Sequence, residues 1–152
     1  MNRRKRSILL ESTLVLAITI IAMLAMVMFK DKTNQREALL AMEQLGVKIL
    51  EYRQEYGVIP PENVVESIRP SIQGNARLGT LHYRARWIGL DARKSEIVAY
   101  THKHYRSLLV ESGTIVLHLD GRVSWMTPRE FNILLNHQQS EEEKQAMENG
   151  DR

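Results

Sequence analysis

The sequence contains no cysteine, and only four of its 152 residues are proline. The first absence excludes disulfides, thiolate metal sites and cysteine nucleophiles; it leaves the redox compartment open, because a chain without cysteine can live on either side of a membrane. The second absence matters through position: no proline falls between Ile8 and Tyr56, so nothing there forbids one unbroken helix. Motifs of chemistry are missing too. There is no glycine-rich phosphate loop, no Gly-x-Ser-x-Gly elbow, no helical His-x3-His pair and no carboxylate-dense loop of the Asp-x-Asp-x-Asp kind. The expectation is a protein that is not an enzyme and needs no cofactor.

The formal net charge of +3, from 21 Lys and Arg against 18 Asp and Glu, is unevenly placed. Arg3, Arg4, Lys5 and Arg6 stand in the first six positions without an acid, and beyond them 17 basic residues face 18 acidic ones. Nucleic-acid binding calls for basic residues spread over a folded face. A short basic cluster abutting an apolar run is a topology signal instead, so nucleic acid is not an expected partner. The run itself, Ile8 to Phe29, has 22 residues and a single charge, Glu11. As a helix it is about 33 Å long and crosses a hydrocarbon core of about 30 Å, which makes the lipid bilayer an expected partner. It exceeds the apolar part of a secretory signal, about 7 to 15 residues, and it ends in bulky Met26, Val27, Met28 and Phe29. Four basic residues precede the span, while Lys30, Lys32 and Arg36 follow it. So short a leader is most simply kept in the cytoplasm, which places the C-terminal domain outside a single-pass inner (cell) membrane protein.

After a polar stretch, Asp31 to Asn34, the residues Ala38, Met42, Leu45, Ile49, Tyr52 and Tyr56 recur at helical spacing and predict the core face of an amphipathic helix. Gly46 inside it is expected to cost about 1 kcal/mol relative to Ala. Gly57 supplies a stop, and Pro60-Pro61 prevents continuation. The expected organisation is a basic leader over 1–7, a transmembrane helix over 8–29, an outer amphipathic helix over 30–57, a small head domain over 58–136 and a polar, disordered tail over 137–152.

Within the head, Glu62 to Arg69 reads as a short helix. Leu81, Tyr83, Ala85 and Trp87 alternate with His82, Arg84 and Arg86, which predicts a half-buried strand whose arginines are solvated. Glu96 to Tyr100 reads as a second strand. Thr114 to Leu119 and Arg122 to Met126 flank Asp120-Gly121, the signature of a two-residue type I′ hairpin. Thr127, Pro128 and Glu130 spell an N-cap, a first helical position and a capping box, so a short helix through Leu135 should pack Phe131, Leu134 and Leu135 on the sheet. His102 with His104, and His118 with Asp120, lie two apart on strands and are residue types that bind zinc. Asp120 is already explained by the turn, and no metal site is expected. The fold class is therefore α+β: a long N-terminal transmembrane helix continuing into an amphipathic helix packed on a small antiparallel sheet, with a short C-terminal helix.

Three features together resemble the type IV pilin and type II secretion pseudopilin family. The first is a short basic leader with a Glu in the first turns of a long apolar helix, here within Ser7-Ile8-Leu9-Leu10-Glu11. The second is the helix ending Leu50-Glu51-Tyr52-Arg53-Gln54-Glu55-Tyr56-Gly57-Val58-Ile59-Pro60. The third is Val116-Leu117-His118-Leu119-Asp120-Gly121-Arg122-Val123 followed by Trp125, similar to the closing hairpin of prepilin-type proteins. The resemblance implies cleavage by a prepilin peptidase between Arg6 and Ser7. It also implies a filament-assembly role for Glu11 against the N-terminal amine of a neighbouring subunit, and partners among other pilin-like subunits and inner-membrane secretion components. The family normally has Gly before the cut, and here Arg6 stands there. Processed and unprocessed forms both stay open, as does an alternative of another class: a membrane-anchored extracytoplasmic binding or sensing domain that never polymerises.

Overall fold

The structure, a computed structural model, describes the backbone of residues 3–89, 91–105 and 110–150, and the side chains of 11–89, 91–105 and 110–146. The first two residues of the leader and the last two of the tail lie outside the described residues. Helix α1 spans Arg3–Tyr56, 54 residues in one unbroken element, or about 81 Å. Gly57, at φ 75, follows it, with its amide donating to the Arg53 carbonyl. Two short helices, α2 (Glu62–Ile68) and α3 (Asn75–Leu78), lead to four strands: β1 (His82–Tyr83), β2 (Ile97–Lys103), β3 (Gly113–His118) and β4 (Val123–Met126). They form one antiparallel sheet in the order β1-β2-β3-β4. Helices α4 (Pro128–Gln138) and α5 (Glu141–Gly150) close the chain. A long N-terminal apolar helix followed by a small antiparallel sheet is a pilin-like architecture.

The sheet is covered on both faces, and the period-2 alternation of β3 sorts its side chains between them. Ile115 and Leu117 join Ala38, Ala41, Met42, Leu45 and Ile49 of α1 in the larger core, whereas Val116 joins Tyr100, Ile97 and Phe131 of α4 in the smaller one. A register shift between Ile97 and Ala99 lets the consecutive residues Val98 and Ala99 both enter the core beneath α1. The capping box of α4 is complete: the Glu130 amide donates to Thr127 Oγ1, and Glu130 Oε2 accepts from the Thr127 amide.

The helix meets the sheet most closely at Gly46. A Cβ there would lie 2.8 Å from Leu117 Cδ1 and 3.2 Å from the Gly121 carbonyl oxygen. The sequence reading of Gly46 as a mere weakness is corrected: the missing side chain is what lets β3 and the hairpin tip reach the helix backbone. Leu50 touches that tip from the next turn, since a Cβ on Gly121 would fall 2.5 Å from Leu50 Cδ1. Beyond it α1 outruns the sheet, so the expected core stripe ends early. Tyr56 is exposed and lies tilted against Tyr52, 4.4 Å between ring centroids, instead of entering the core.

Three further expectations are corrected. The Asp120-Gly121 turn is not type I′, because among the described residues, Asp120 included, none but glycine has positive φ, and type I′ requires it at both central positions. Leu119, Asp120 and Gly121 form a three-residue loop instead. His118 donates to the Arg122 carbonyl and accepts from the Gly121 amide, and Gly121 takes the left-handed position at φ 84. The strand expected from Leu81 to Trp87 stops at Tyr83 and turns into a 3-10 helix over Ala85–Trp87. That turn rotates Arg84 inward, so the arginine expected to be solvated is fully buried.

Buried Arg84 also reaches the polar tail, where Glu141–Gly150 form α5. Its guanidinium donates to Glu143 of α5 through two bonds of 2.6 and 2.9 Å, and to the Ile97 carbonyl at 2.8 Å. The side chains of both charged partners are 1% exposed. Gln138 completes the clasp: its amide oxygen accepts from the Ile97 backbone amide at 2.8 Å, and its amide nitrogen donates to the Ser95 carbonyl. A bidentate, dry pair of this kind fixes α5 against the back of the sheet.

Two measurements check this packing. Gly46→Val forces a branched side chain into the helix–sheet contact and should destabilise the head by about 2 kcal/mol in denaturant titrations; equal or higher stability would show that the approach is loose. Glu143→Ala strands a buried guanidinium and should cost about 3 kcal/mol while making the tail sensitive to protease. Wild-type stability together with a protected tail would remove the clasp from the account.

Candidate functional site: the exposed apolar helix and its junction with the head

From Leu14 to Leu24 every residue of α1 is exposed, and apolar side chains lie on all sides of the helix. Leu14, Val15, Leu16, Ile18, Ile21, Met23 and Leu24 are all more than half exposed, and Met26 reaches 75%. An 18-residue window here has a mean hydropathy of 2.5, with none of it buried, so α1 is long and apolar enough to span a membrane. A helix hydrophobic all round is stable only where its surroundings are apolar on every side. The hydroxyl of Thr19 satisfies itself locally by donating to the Val15 carbonyl at 2.9 Å, which suits a segment without water.

Glu11 is exposed on the surface of this segment, the one carboxylate in the apolar run. Arg6 and Ser7 lie five and four residues before it, a little over one turn, in the same continuous helix, and their side chains are outside the described residues. Glu11, Gly57, Pro60, Asp120 and Gly121 do not converge on one place. Glu11 lies in the apolar half of α1, Gly57 and Pro60 follow the far end of the same helix, and Asp120-Gly121 forms the hairpin tip against Gly46 and Leu50. The site is therefore a helix surface, with no chemical constellation gathered around a pocket.

Where the apolar half ends, the head closes over it. Ala25, Met28 and Phe29 face Val110 and Trp125 across a cleft of about 550 Å³, with Lys32 and Glu111 also on its walls. Trp125 is held by two neighbours. Tyr105 stacks on it at 6.1 Å, and Gly113 across the ladder leaves room for the indole, since a Cβ there would lie 2.6 Å from the ring. Burial and the Asp31 carboxylate push the Tyr105 phenol up to about 12. The sequence reading gave Trp125 only as part of the hairpin motif. Its place over the end of the span was not visible there, because it depends on the register of β4 against α1.

The structure does not bring His102 and His104 together with His118 and Asp120. His102 pairs with Thr114 and His118 with Ile97, which puts them at opposite ends of the β2–β3 ladder, about 14 Å apart along β3. His118 is buried, with its ring nitrogens on the Ser95 carbonyl and Ser124 Oγ, and Asp120 Oδ1 accepts from the Arg122 amide. Among the described residues no three His, Cys, Asp or Glu side chains gather where they could hold a metal ion. His102 instead belongs to an aromatic cluster, edge-on to Phe131 at 5.3 Å, to Tyr100 at 5.4 Å and to His82 at 5.9 Å, with Nδ1 2.9 Å from Thr114 Oγ1.

Compared with known proteins, the chain matches no family model, no curated protein and no solved structure.

The aromatic cluster gives a pH dependence. Burial, then the neighbouring His82 and His104, hold the His102 imidazole below its ordinary value of 6.5. The folded state therefore binds fewer protons here than the unfolded chain, and the stabilisation is complete above that ordinary value and lost as pH falls through the lowered one. Thermal scans should show the head losing stability on acidification below about pH 6.5. His102→Gln should flatten that slope; an unchanged slope would assign it to other groups.

Proposed function

We propose that this chain is a pilin-like, single-pass membrane protein that works as a structural subunit, assembling through α1 into a type II secretion pseudopilus or a related pilus-like machine. The observation that carries this reading is that the fully exposed apolar half of α1 and the core-forming half are one helix. The head is rigidly mounted on the segment that would pack against neighbours, so helix-to-helix register would set head-to-head register without a linker. An ordinary membrane anchor needs no such rigid mounting.

Glu11 supplies the specificity. A carboxylate in lipid is costly without a positive partner, so arrangements that offer one are favoured over arrangements that do not. In a processed chain the partner is the terminal amine of a neighbouring subunit, and the leader is removed by prepilin peptidase between Arg6 and Ser7. The N-terminus lies in the cytoplasm and the head in the periplasmic or extracytoplasmic space. Other pilin-like subunits and secretion-system membrane components are the partners, and the role is not catalytic.

A specific observation favours the second reading. Arg6 replaces the Gly that the family carries before the cut, and an uncleaved leader would leave Glu11 without a free amine to meet. The chain would then be an anchored extracytoplasmic binding or sensing domain.

The absence of native cysteine makes the test direct. Single cysteines introduced at Leu16 and Ile20 in native membranes should give a ladder of oxidised cross-linked species, and Glu11→Leu should abolish the ladder while leaving membrane insertion intact. Monomer alone in the parent variants, together with an intact leader by mass, would establish the anchored-domain reading instead.

A further inference from the structure

The cleft at the end of the span has features that packing of the chain does not use. Its floor, Ala25, Met28 and Phe29, belongs to the apolar run. The apolar run from Ile8 to Phe29 is about 33 Å long as a helix, enough to cross a hydrocarbon core of about 30 Å, so the cleft at its end opens at the level of lipid headgroups. Its walls carry two opposite charges, Lys32 and Glu111. Neither makes an ion pair or a hydrogen bond with any described residue. Over them lies Trp125, a residue type whose amphipathic ring settles at the membrane–water boundary.

We propose that this cleft binds the headgroup of an amine-bearing zwitterionic phospholipid, with the phosphate on Lys32, the ammonium on Glu111 and the upper acyl chain along Met28 and Phe29. The chemistry selects the occupant. The cleft is continuous with the lipid-facing surface of α1, so what reaches it is a bilayer component and not a dissolved solute. A lysine binds phosphate as a compact point charge, and a carboxylate is matched by the three N–H donors of a primary ammonium. A choline headgroup has no N–H to donate, and a glycerol headgroup offers Glu111 no cation. The tail-side contacts are apolar, and Trp125 on the wall supplies an amphipathic ring of the kind that settles among headgroups. A lipid seated here would tie the head down onto the membrane surface, adding a second contact between head and bilayer besides the helix itself.

This inference rests on α1 spanning a membrane, and the test separates the two. The chain has two tryptophans, so Trp87→Phe leaves Trp125 as the sole reporter. The full-length variant is reconstituted into phosphatidylcholine vesicles in which phosphatidylethanolamine, or in a parallel arm phosphatidylglycerol, progressively replaces the host lipid. Vesicle flotation is measured alongside Trp125 emission. The expected result is a saturable blue shift with phosphatidylethanolamine and none with phosphatidylglycerol. The midpoint should move about tenfold higher in Lys32→Gln and in Glu111→Gln, the loss of one charge-assisted hydrogen bond each. Both side chains are exposed, so folding is not at stake. Flotation without any phosphatidylethanolamine-dependent shift overturns the site. An equal response to phosphatidylglycerol overturns the zwitterion assignment, and failure to float overturns the spanning reading and the site with it.

Discussion

One constraint organises this molecule: a single helix has to satisfy two different solvents along its length. Its first half exposes apolar side chains on all sides, and its second half buries one face, Ala38, Ala41, Met42, Leu45 and Ile49, against a sheet. No proline interrupts the change, and the polar stretch from Asp31 to Asn34 stays helical. Everything in the head is built outward from this rod. The sheet can lie on it because Gly46 removes the side chain that would hold β3 and the hairpin tip away. The opposite face of the sheet is then sealed by α4, and α5 is locked behind it by Arg84 and Glu143.

The parts legible in the sequence were those carried by local periodicity or by a sharply defined local rule. The apolar run, the stripe from Ala38 to Ile49, the strands on either side of Asp120-Gly121 and the capping box at Thr127 all depend on residues within a few positions of one another. What could not be read depends on partners far apart in the chain. Arg84 and Glu143 are separated by 59 residues, and nothing near either one signals the other. Alternation at Leu81 to Trp87 suggested a strand, but the buried guanidinium is satisfied only if the chain turns after Tyr83. A tail rich in Glu reads as solvated until one of those carboxylates has a buried cation to meet. The turn type was missed for a different reason. Asp-Gly fits both the two-residue and the three-residue hairpin, and the choice is made by Leu119, buried at 2% exposure, whose amide bonds to the Glu96 carbonyl.

The candidate site shares this division. Glu11 and the apolar surface around it are visible in the sequence because they are contiguous. The cleft under Trp125 is not, because Trp125, Glu111 and Lys32 are brought together only when the sheet docks on the helix in this register. The pilin-like architecture thus joins two surfaces with different chemistry. One is a bare apolar helix, and the other is a half-polar junction where that helix meets the head.

The central claim is therefore that the lipid-facing and core-facing halves form one continuous, rigid helix in a membrane, and a distance measurement addresses it directly. Spin labels on cysteines at Ile20 and Val47, introduced into the naturally cysteine-free chain and reconstituted in bilayers, should give a narrow double electron–electron resonance distribution centred near 40 Å, the rise of 27 helical residues. A broad distribution, or one centred well below that length, would place a hinge near Asp31 to Asn34, and the rigid coupling on which this account depends would be contradicted.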